Sequence, residues 1–256
     1  MVITRLQTRI PAVALDGVTK TYVGGGAEVV RALDDVSLTF ESGTFSAIMG
    51  ASGSGKTTLL QCAAGLDRPD RGTVRIGAAD LTGLGERRLA QLRRRSVGFV
   101  FQSFNLLPSL TAAQNAILPL RLAGEHPRRG VARDALARVG LADRAGHRPA
   151  QLSGGQQQRV AIARALISEP EVIFADEPTG ALDTRSARDV LAMLRDATDR
   201  DGRTLVLVTH DPVAAAVADR VVFLRDGRVA GEVPGGSTRR VSDFFATLEV
   251  PETAAA

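Results

Sequence analysis

Three short stretches of this chain carry residues whose types and spacing suit phosphate chemistry. Gly50-Ala51-Ser52-Gly53-Ser54-Gly55-Lys56-Thr57 fits G-x-x-x-x-G-K-[ST], between the apolar run FSAIMG and the helical run KTTLLQCAAGL. Glycines let such a loop wrap a polyphosphate with successive backbone N–H groups pointing inward. The helix that follows adds its positive end to the same anion. Lys56 supplies a compact charge for the β- and γ-phosphates, Thr57 offers a hydroxyl to Mg2+, and Thr58 stands beside it. The second stretch is Val172-Ile173-Phe174-Ala175, an apolar strand ending in Asp176-Glu177. Asp176 is placed to hold Mg2+ directly or through water, and Glu177 to accept a proton from an attacking water. A phosphate loop by itself does not separate ATPases from GTPases or small-molecule kinases. The third stretch is Leu152-Ser153-Gly154-Gly155-Gln156, followed by Gln157-Gln158-Arg159. Ser153 is a good helix N-cap, and Gly154 and Gly155 leave backbone N–H groups bare at a helix start. One chain therefore offers two anion-binding helix ends, and one γ-phosphate cannot easily meet both within the same fold.

The elements that must position these residues alternate in type. VALDGVTKTY (13–22) and VVRALDDVSLTF (29–40) read as strands joined by a turn at Gly24-Gly25-Gly26, and VRIG (74–77) as a further strand. From about 85 to 165 the pattern turns helical: ERRLAQLRRRS, TAAQNAILPLRLAG, RRGVARDALARVGL and GGQQQRVAIARALIS carry apolar residues three to four apart. Alternation returns with EVIFAD (171–176), a helix over 184–199 with the stripe Ala187, Val190, Leu191 and Leu194, and the strand TLVLVTH (204–210). After the linker Pro234-Gly235-Gly236-Ser237, Val241, Phe244, Phe245 and Leu248 mark a short amphipathic helix packing on its own domain, ahead of a frayed PETAAA tail.

Composition narrows the classes. The 256 residues are 44% hydrophobic and 23% charged, enough for a substantial core and against disorder. The 32 basic and 28 acidic residues leave +4, a weak signal for a polyanion, so no nucleic-acid partner is expected. Cys62 stands alone, which excludes a disulfide framework within one chain and suits a reducing compartment. No run of 18 apolar residues exists, and MVITRLQTRIPAVALDG lacks the apolar core of a signal peptide. Only two of the cations are lysines, Lys20 and Lys56, and Tyr22 is the only tyrosine.

Taken together, the motifs resemble those of ATP-binding-cassette (ABC) ATPases, in family order from about residue 12 to 233. The resemblance implies an α/β fold: a P-loop NTPase (RecA-like) core, 12–88 and 166–233, with an N-terminal antiparallel β subdomain. An inserted α-helical subdomain would occupy 89–165, and 234–256 would be the linker, short helix and tail. It implies ATP and Mg2+ as cofactors and a head-to-tail homodimer. Each ATP would lie between the phosphate loop of one subunit and Ser153, Gly154, Gly155 and Gln156 of the other, which stabilises transferred charge in trans. Residue by residue, Tyr22 matches the aromatic that stacks on adenine, Gln102 the glutamine that touches Mg2+ and the water, and Asp183 of Gly180-Ala181-Leu182-Asp183 the dimer seam. His210 matches the histidine that contacts the γ-phosphate. With Glu177 and His210 both present, the resemblance implies an ATPase that hydrolyses.

Such a subunit needs a partner to drive. Residues 96–120 carry no charge, and Phe104, Leu106, Leu107 and Leu110 follow Gln102 where the family places its groove for a permease helix. The expected location is the cytoplasmic face of the plasma membrane. FQSFNLLPSLTAAQNAILPL and ADEPTGALD look most like the branch serving lipoprotein release, macrolide or antimicrobial-peptide export and cell-division permeases, so export is the expected direction. A soluble cassette ATPase, for example in iron–sulfur assembly, is the alternative. A P-loop kinase would give no reason for the Leu152-to-Gln156 motif.

Overall fold

The computed structural model describes residues 10–23 and 29–249, so the expected glycine turn at 24–26 and the frayed tail lie outside the described residues. Strands β1 (Val13–Val23) and β2 (Val29–Phe40) pair antiparallel, and β3 (Phe45–Met49) leads through the glycine loop into α1 (Lys56–Ala63). Next come β4 (Arg71–Ile76), β5 (Ala79–Asp80), α2 (Glu86–Ser96) and β6 (Val97–Phe101). Helices α3 (Ala112–Ala116), α4 (Leu118–Leu122), α5 (Val131–Arg138) and α6 (Gly154–Leu166) follow. The chain then alternates through β7 (Val172–Asp176), α7 (Thr184–Asp199), β8 (Thr204–Val208), α8 (Pro212–Ala215), β9 (Arg220–Arg225), β10 (Arg228–Pro234) and α9 (Thr238–Glu249).

One sheet has the order β2-β1-β4-β5 and is antiparallel; the other runs β10-β9-β3-β8-β7-β6. In the second, β9, β3, β8, β7 and β6 are mutually parallel and β10 closes an edge antiparallel. Alternation along the parallel strands separates two cores. Phe45, Ala47 and Met49 join a core with α6, α7 and α9, while Ile48, Phe174, Val206 and Val222 join one with α1 and the antiparallel sheet. The α/β architecture with an antiparallel sheet and a parallel sheet is the one expected.

Two boundaries differ from the sequence reading. The expected helical subdomain, 89–165, contains β6, whose Val97–Phe101 run pairs with β7 as a strand of the core sheet. An apolar run marks the strand but not the sheet it joins, since pairing with β7 is a long-range contact. The run TAAQNAILPLRLAG also breaks at Ile117, because Pro119 lacks an N–H and can sit only in the first turn of a new helix. At the other end, Val241 of α9 is fully buried, and Phe244 and Phe245 lie against Phe223 with ring centroids at 4.7 and 6.3 Å. Among the described residues, no helix is long and apolar enough to cross a membrane.

The turn from β6 into the helical segment hangs on Asn115, which is fully buried. Its Oδ1 accepts from Leu107 N (2.8 Å), and its Nδ2 donates to the carbonyls of Leu107 (3.1 Å), Leu110 (3.2 Å) and Thr111 (3.1 Å). Truncation would leave those backbone groups unpaired in the interior. Asn115→Ala should therefore lower unfolding stability by about 2–4 kcal/mol, read from a urea melt.

Candidate functional site

The parallel register sets the site. Phe101 pairs with Asp176, Asp176 with Val208, and Val208 with Ile48, so the four lie in one row across the sheet. Adjacent strands stand about 4.8 Å apart, so the residues just past this row emerge side by side at the carboxyl edge. Those residues are Gln102 after β6, Glu177 after β7, Thr209 and His210 after β8, and Gly50 after β3.

The glycine loop turns directly into α1. Gly55 has φ 99°, and a Cβ there would lie 2.2 Å from the Ala32 carbonyl oxygen, so only glycine fits. No side chain caps α1, whose first N–H groups are left to the loop's concavity. Lys56 Nζ donates to the carbonyls of Gly50 (2.9 Å) and Ala51 (2.7 Å). Burial draws its ammonium below the ordinary lysine range, against the pull of Glu177 and Asp176. Ser54 is buried, whereas Ala51, Ser52, Gly53 and Thr57 are exposed. Burial and the Glu177 charge push the Asp176 carboxyl above the usual carboxylate range, with Lys56 opposing.

Glu177 sits in the left-handed region at φ 45°, uncommon for a residue with a side chain. Such a conformation costs about 1–3 kcal/mol and persists only where the surroundings impose it. Here Glu177 N donates to Val208 O (2.9 Å), and Gly180 N donates to Glu177 O (3.1 Å). The carboxylate accepts from Thr209 Oγ1 (3.1 Å), His210 N (3.0 Å) and His210 Nδ1 (2.7 Å). A carboxylate partner assigns the proton to Nδ1, which turns Nε2 away from Glu177. The Gln102 amide rests on Gly180, where a Cβ would come within 2.9 Å of its Nε2.

Ser153 and Gln156 form a reciprocal cap on α6: Gln156 N donates to Ser153 Oγ (3.3 Å) and Ser153 N to Gln156 Oε1 (3.0 Å). Asp183 caps α7 through Arg185 N (3.0 Å) and Ser186 N (2.9 Å), and those bonds with the Ser186 hydroxyl hold its carboxyl below the usual range. Ser186 also abuts Gly155, where a Cβ would come 2.7 Å from its Oγ. The starts of α6 and α7 thus form a second cluster.

Tyr22 is exposed, and its hydroxyl donates to Asp67 Oδ2 (2.7 Å). Lys20 Nζ bonds Asp67 Oδ1 (2.7 Å) and Arg68 O (2.8 Å) and lies 5.2 Å from the Tyr22 ring centre. Sequence reasoning missed Thr209 and Asp67 and found no role for Lys20. Thr209 was reachable as the residue between a buried strand and His210; Asp67 and Lys20 meet only through the fold.

A β-sheet with a glycine loop running from one strand into a helix, and acidic residues at the end of another strand of the same sheet, defines a P-loop nucleoside-triphosphatase. The chain belongs to the ABC transporter family, whose model matches residues 33–180. It is 50% identical over 224 residues to a macrolide export ATP-binding/permease protein MacB of Burkholderia thailandensis, covering 87% of this chain and 34% of that protein. A MacB of Rhodospirillum rubrum is 53% identical over 216 residues, with 82% and 33% covered. The chain spans about a third of the length of the curated relatives it matches. Among solved structures, the ATP-binding cassette MJ0796 in a dimeric post-hydrolysis state with ADP and Pi aligns with TM-score 0.80 at 43% identity. That alignment covers 87% of this chain and 98% of the other. The chain is an ABC ATPase cassette.

Although burial pulls the Asp67 carboxyl upward, the Lys20 and Tyr22 hydrogen bonds outweigh it and hold it below the usual range. A depressed carboxylate contributes stability above its unfolded pKa of about 3.9, lost as pH falls through the lower folded value. Asp67→Asn should cost about 1–3 kcal/mol at pH 7 and flatten the acid limb of a stability–pH curve below pH ~4.

Proposed function

We propose that this cassette binds Mg-ATP in a head-to-tail pair of copies and drives a membrane permease engaged in export. The observation that carries the site assignment is the single row of the parallel sheet, which sets Gln102, Glu177 and His210 beside the glycine loop. Backbone N–H groups of Ser52 to Thr58 and the end of α1 bind the phosphates, and Lys56 exchanges loop carbonyls for phosphate oxygens. Tyr22, held by Asp67, offers its ring to adenine. The Thr57 hydroxyl, Asp176 carboxylate and Gln102 amide oxygen are hard oxygen donors that fit Mg2+, which when bound neutralises phosphate charge. Glu177 takes the proton of the attacking water, oriented by Thr209 and His210. The α6 start, with Ser153, Gly154, Gly155 and Gln156, meets the partner copy's nucleotide, with Asp183 at the seam. The dimeric state of the MJ0796 cassette supports this pairing.

Two residues expected to face the permease are half-buried. Leu106 packs on the core shared with α6, and the Phe104 ring lies against Gly154, where a Cβ would be 3.6 Å from its Cζ. Leu107 is exposed, and Asn105 of the same loop lines a groove of about 460 Å³ with Phe99, Phe101, Leu118, Leu122 and Arg94. This groove takes a cytoplasmic helix of the permease and so holds the cassette at the cytoplasmic face of the membrane. The macrolide export named for the MacB relatives supports the export direction.

Glu177→Gln should lower turnover by about 10²- to 10⁴-fold while trapping an ATP-bound dimer in size-exclusion chromatography, whereas Lys56→Ala should lose nucleotide binding. Wild-type turnover in Glu177→Gln removes the base assignment. Leu122→Asp, at an exposed groove position, should abolish co-purification with the permease from detergent-extracted membranes and leave ATP binding intact. Undiminished co-purification would move the docking surface elsewhere.

A further inference from the structure

Gln158 lies one turn into α6, fully buried. Its Nε2 donates to Pro178 O at 2.6 Å and to Phe101 O at 3.3 Å. Both partners are carbonyls, so the amide must present nitrogen to them, since the flipped amide would set oxygen against oxygen. Its Oε1 has no partner among the described residues. An unpaired buried acceptor is costly, and an apolar side chain of the same volume would avoid it. The amide is nevertheless the group that fills this place, and its two donors reach two backbone points of the site. Phe101 directly precedes Gln102, and Pro178 directly follows Glu177.

We infer that Gln158 is a positioning residue that fixes the α6 start relative to Gln102 and Glu177. Through one NH2 group, the helix end offered to a neighbouring copy is tied to the backbone that carries the chain's own Gln102 and Glu177. The Phe101 carbonyl also accepts from Phe104 N (3.2 Å), so the turn that carries Gln102 is pinned at its origin. The Pro178 carbonyl has the stronger hold: the bond at 2.6 Å follows the residue whose φ of 45° the surroundings impose. Releasing it would let Glu177 relax away from Thr209 and His210. Gln158 is fully buried, and it acts only through these carbonyls.

This inference rests on the roles of Gln102 and Glu177 proposed above, and the experiment separates the two. In the purified full chain, Gln158→Met keeps the volume and removes both donors. Its kcat per nucleotide-binding site should fall about tenfold or more, with KM for ATP within about threefold, as expected when two buried hydrogen bonds that orient reacting groups are lost. A part in folding alone would lower the thermal midpoint and the number of binding sites and leave kcat per site at the wild-type value. Gln158→Glu retains one donor while protonated, so its kcat should fall more steeply than that of wild type as pH rises from 6 to 9. A pH profile parallel to wild type overturns the inference, as does a wild-type kcat per site in Gln158→Met. If Gln158→Met yields no folded protein, the Gln158→Glu profile decides. A dead Glu177→Gln beside a fully active Gln158→Met refutes this inference alone; an active Glu177→Gln refutes the reading beneath it.

Discussion

Everything at the candidate site depends on the parallel register that aligns Phe101, Asp176, Val208 and Ile48. A slip of one residue in any strand would flip its side chains between the two cores, so burial on both faces forbids it. Phe45, Ile173, Phe174, Val206 and Leu207 are fully buried, and they divide between the two cores. The register is thus enforced by apolar packing on both faces of the sheet. The chemistry inherits its geometry from hydrophobic alternation, with no contact of its own needed to set the spacing.

That rigidity lets the polar end of the sheet hold conformations it would not adopt alone. Glu177 keeps a positive φ because its N–H and C=O are both bonded and its carboxylate is held by Thr209 and His210. Phe104 and Asn105, just past Gln102, are also left-handed, at φ 59° and 48°. Their carbonyls accept from Arg164 of α6 at 2.9 and 2.5 Å. Burial draws that guanidinium below its ordinary range, the direction expected when carbonyls rather than a carboxylate are its partners. Strain on two strand exits is therefore met from one helix, α6, whose own start is the proposed second anion-binding end.

Much of this was legible because local rules bind tightly at these residues. The loop-to-helix transition at Gly55-Lys56, the Ser153 cap and the acids after an apolar strand each follow from backbone chemistry within a few residues. Long-range pairing was not legible. Lys20 had no assignable role beside Tyr22, and only the fold shows that it holds Asp67, 47 residues away, against the tyrosine. Phe104 and Leu106 read as an exposed apolar patch, yet Asn115 ties down the following loop and Leu106 is half-buried against the core. Hydrophobicity alone does not say which side of a loop faces the protein.

The two phosphate-competent helix ends are built differently, and the difference bears on how they are used. At α1 no side chain caps the N–H groups, and Gly55 brings them bare to the loop. Unpaired donors at a helix start favour an anion strongly, so this end gains most from a phosphate. At α6, Ser153 and Gln156 already satisfy one another's backbone N–H groups. That end is stable alone and has less to gain from an anion than α1. An uncapped end suits a ligand that the chain holds by itself, and a self-capped end suits one held only while a second copy is present. The asymmetry is what the proposed sharing of a nucleotide between two copies would require: tight retention from α1, and from α6 a contact weak enough to release.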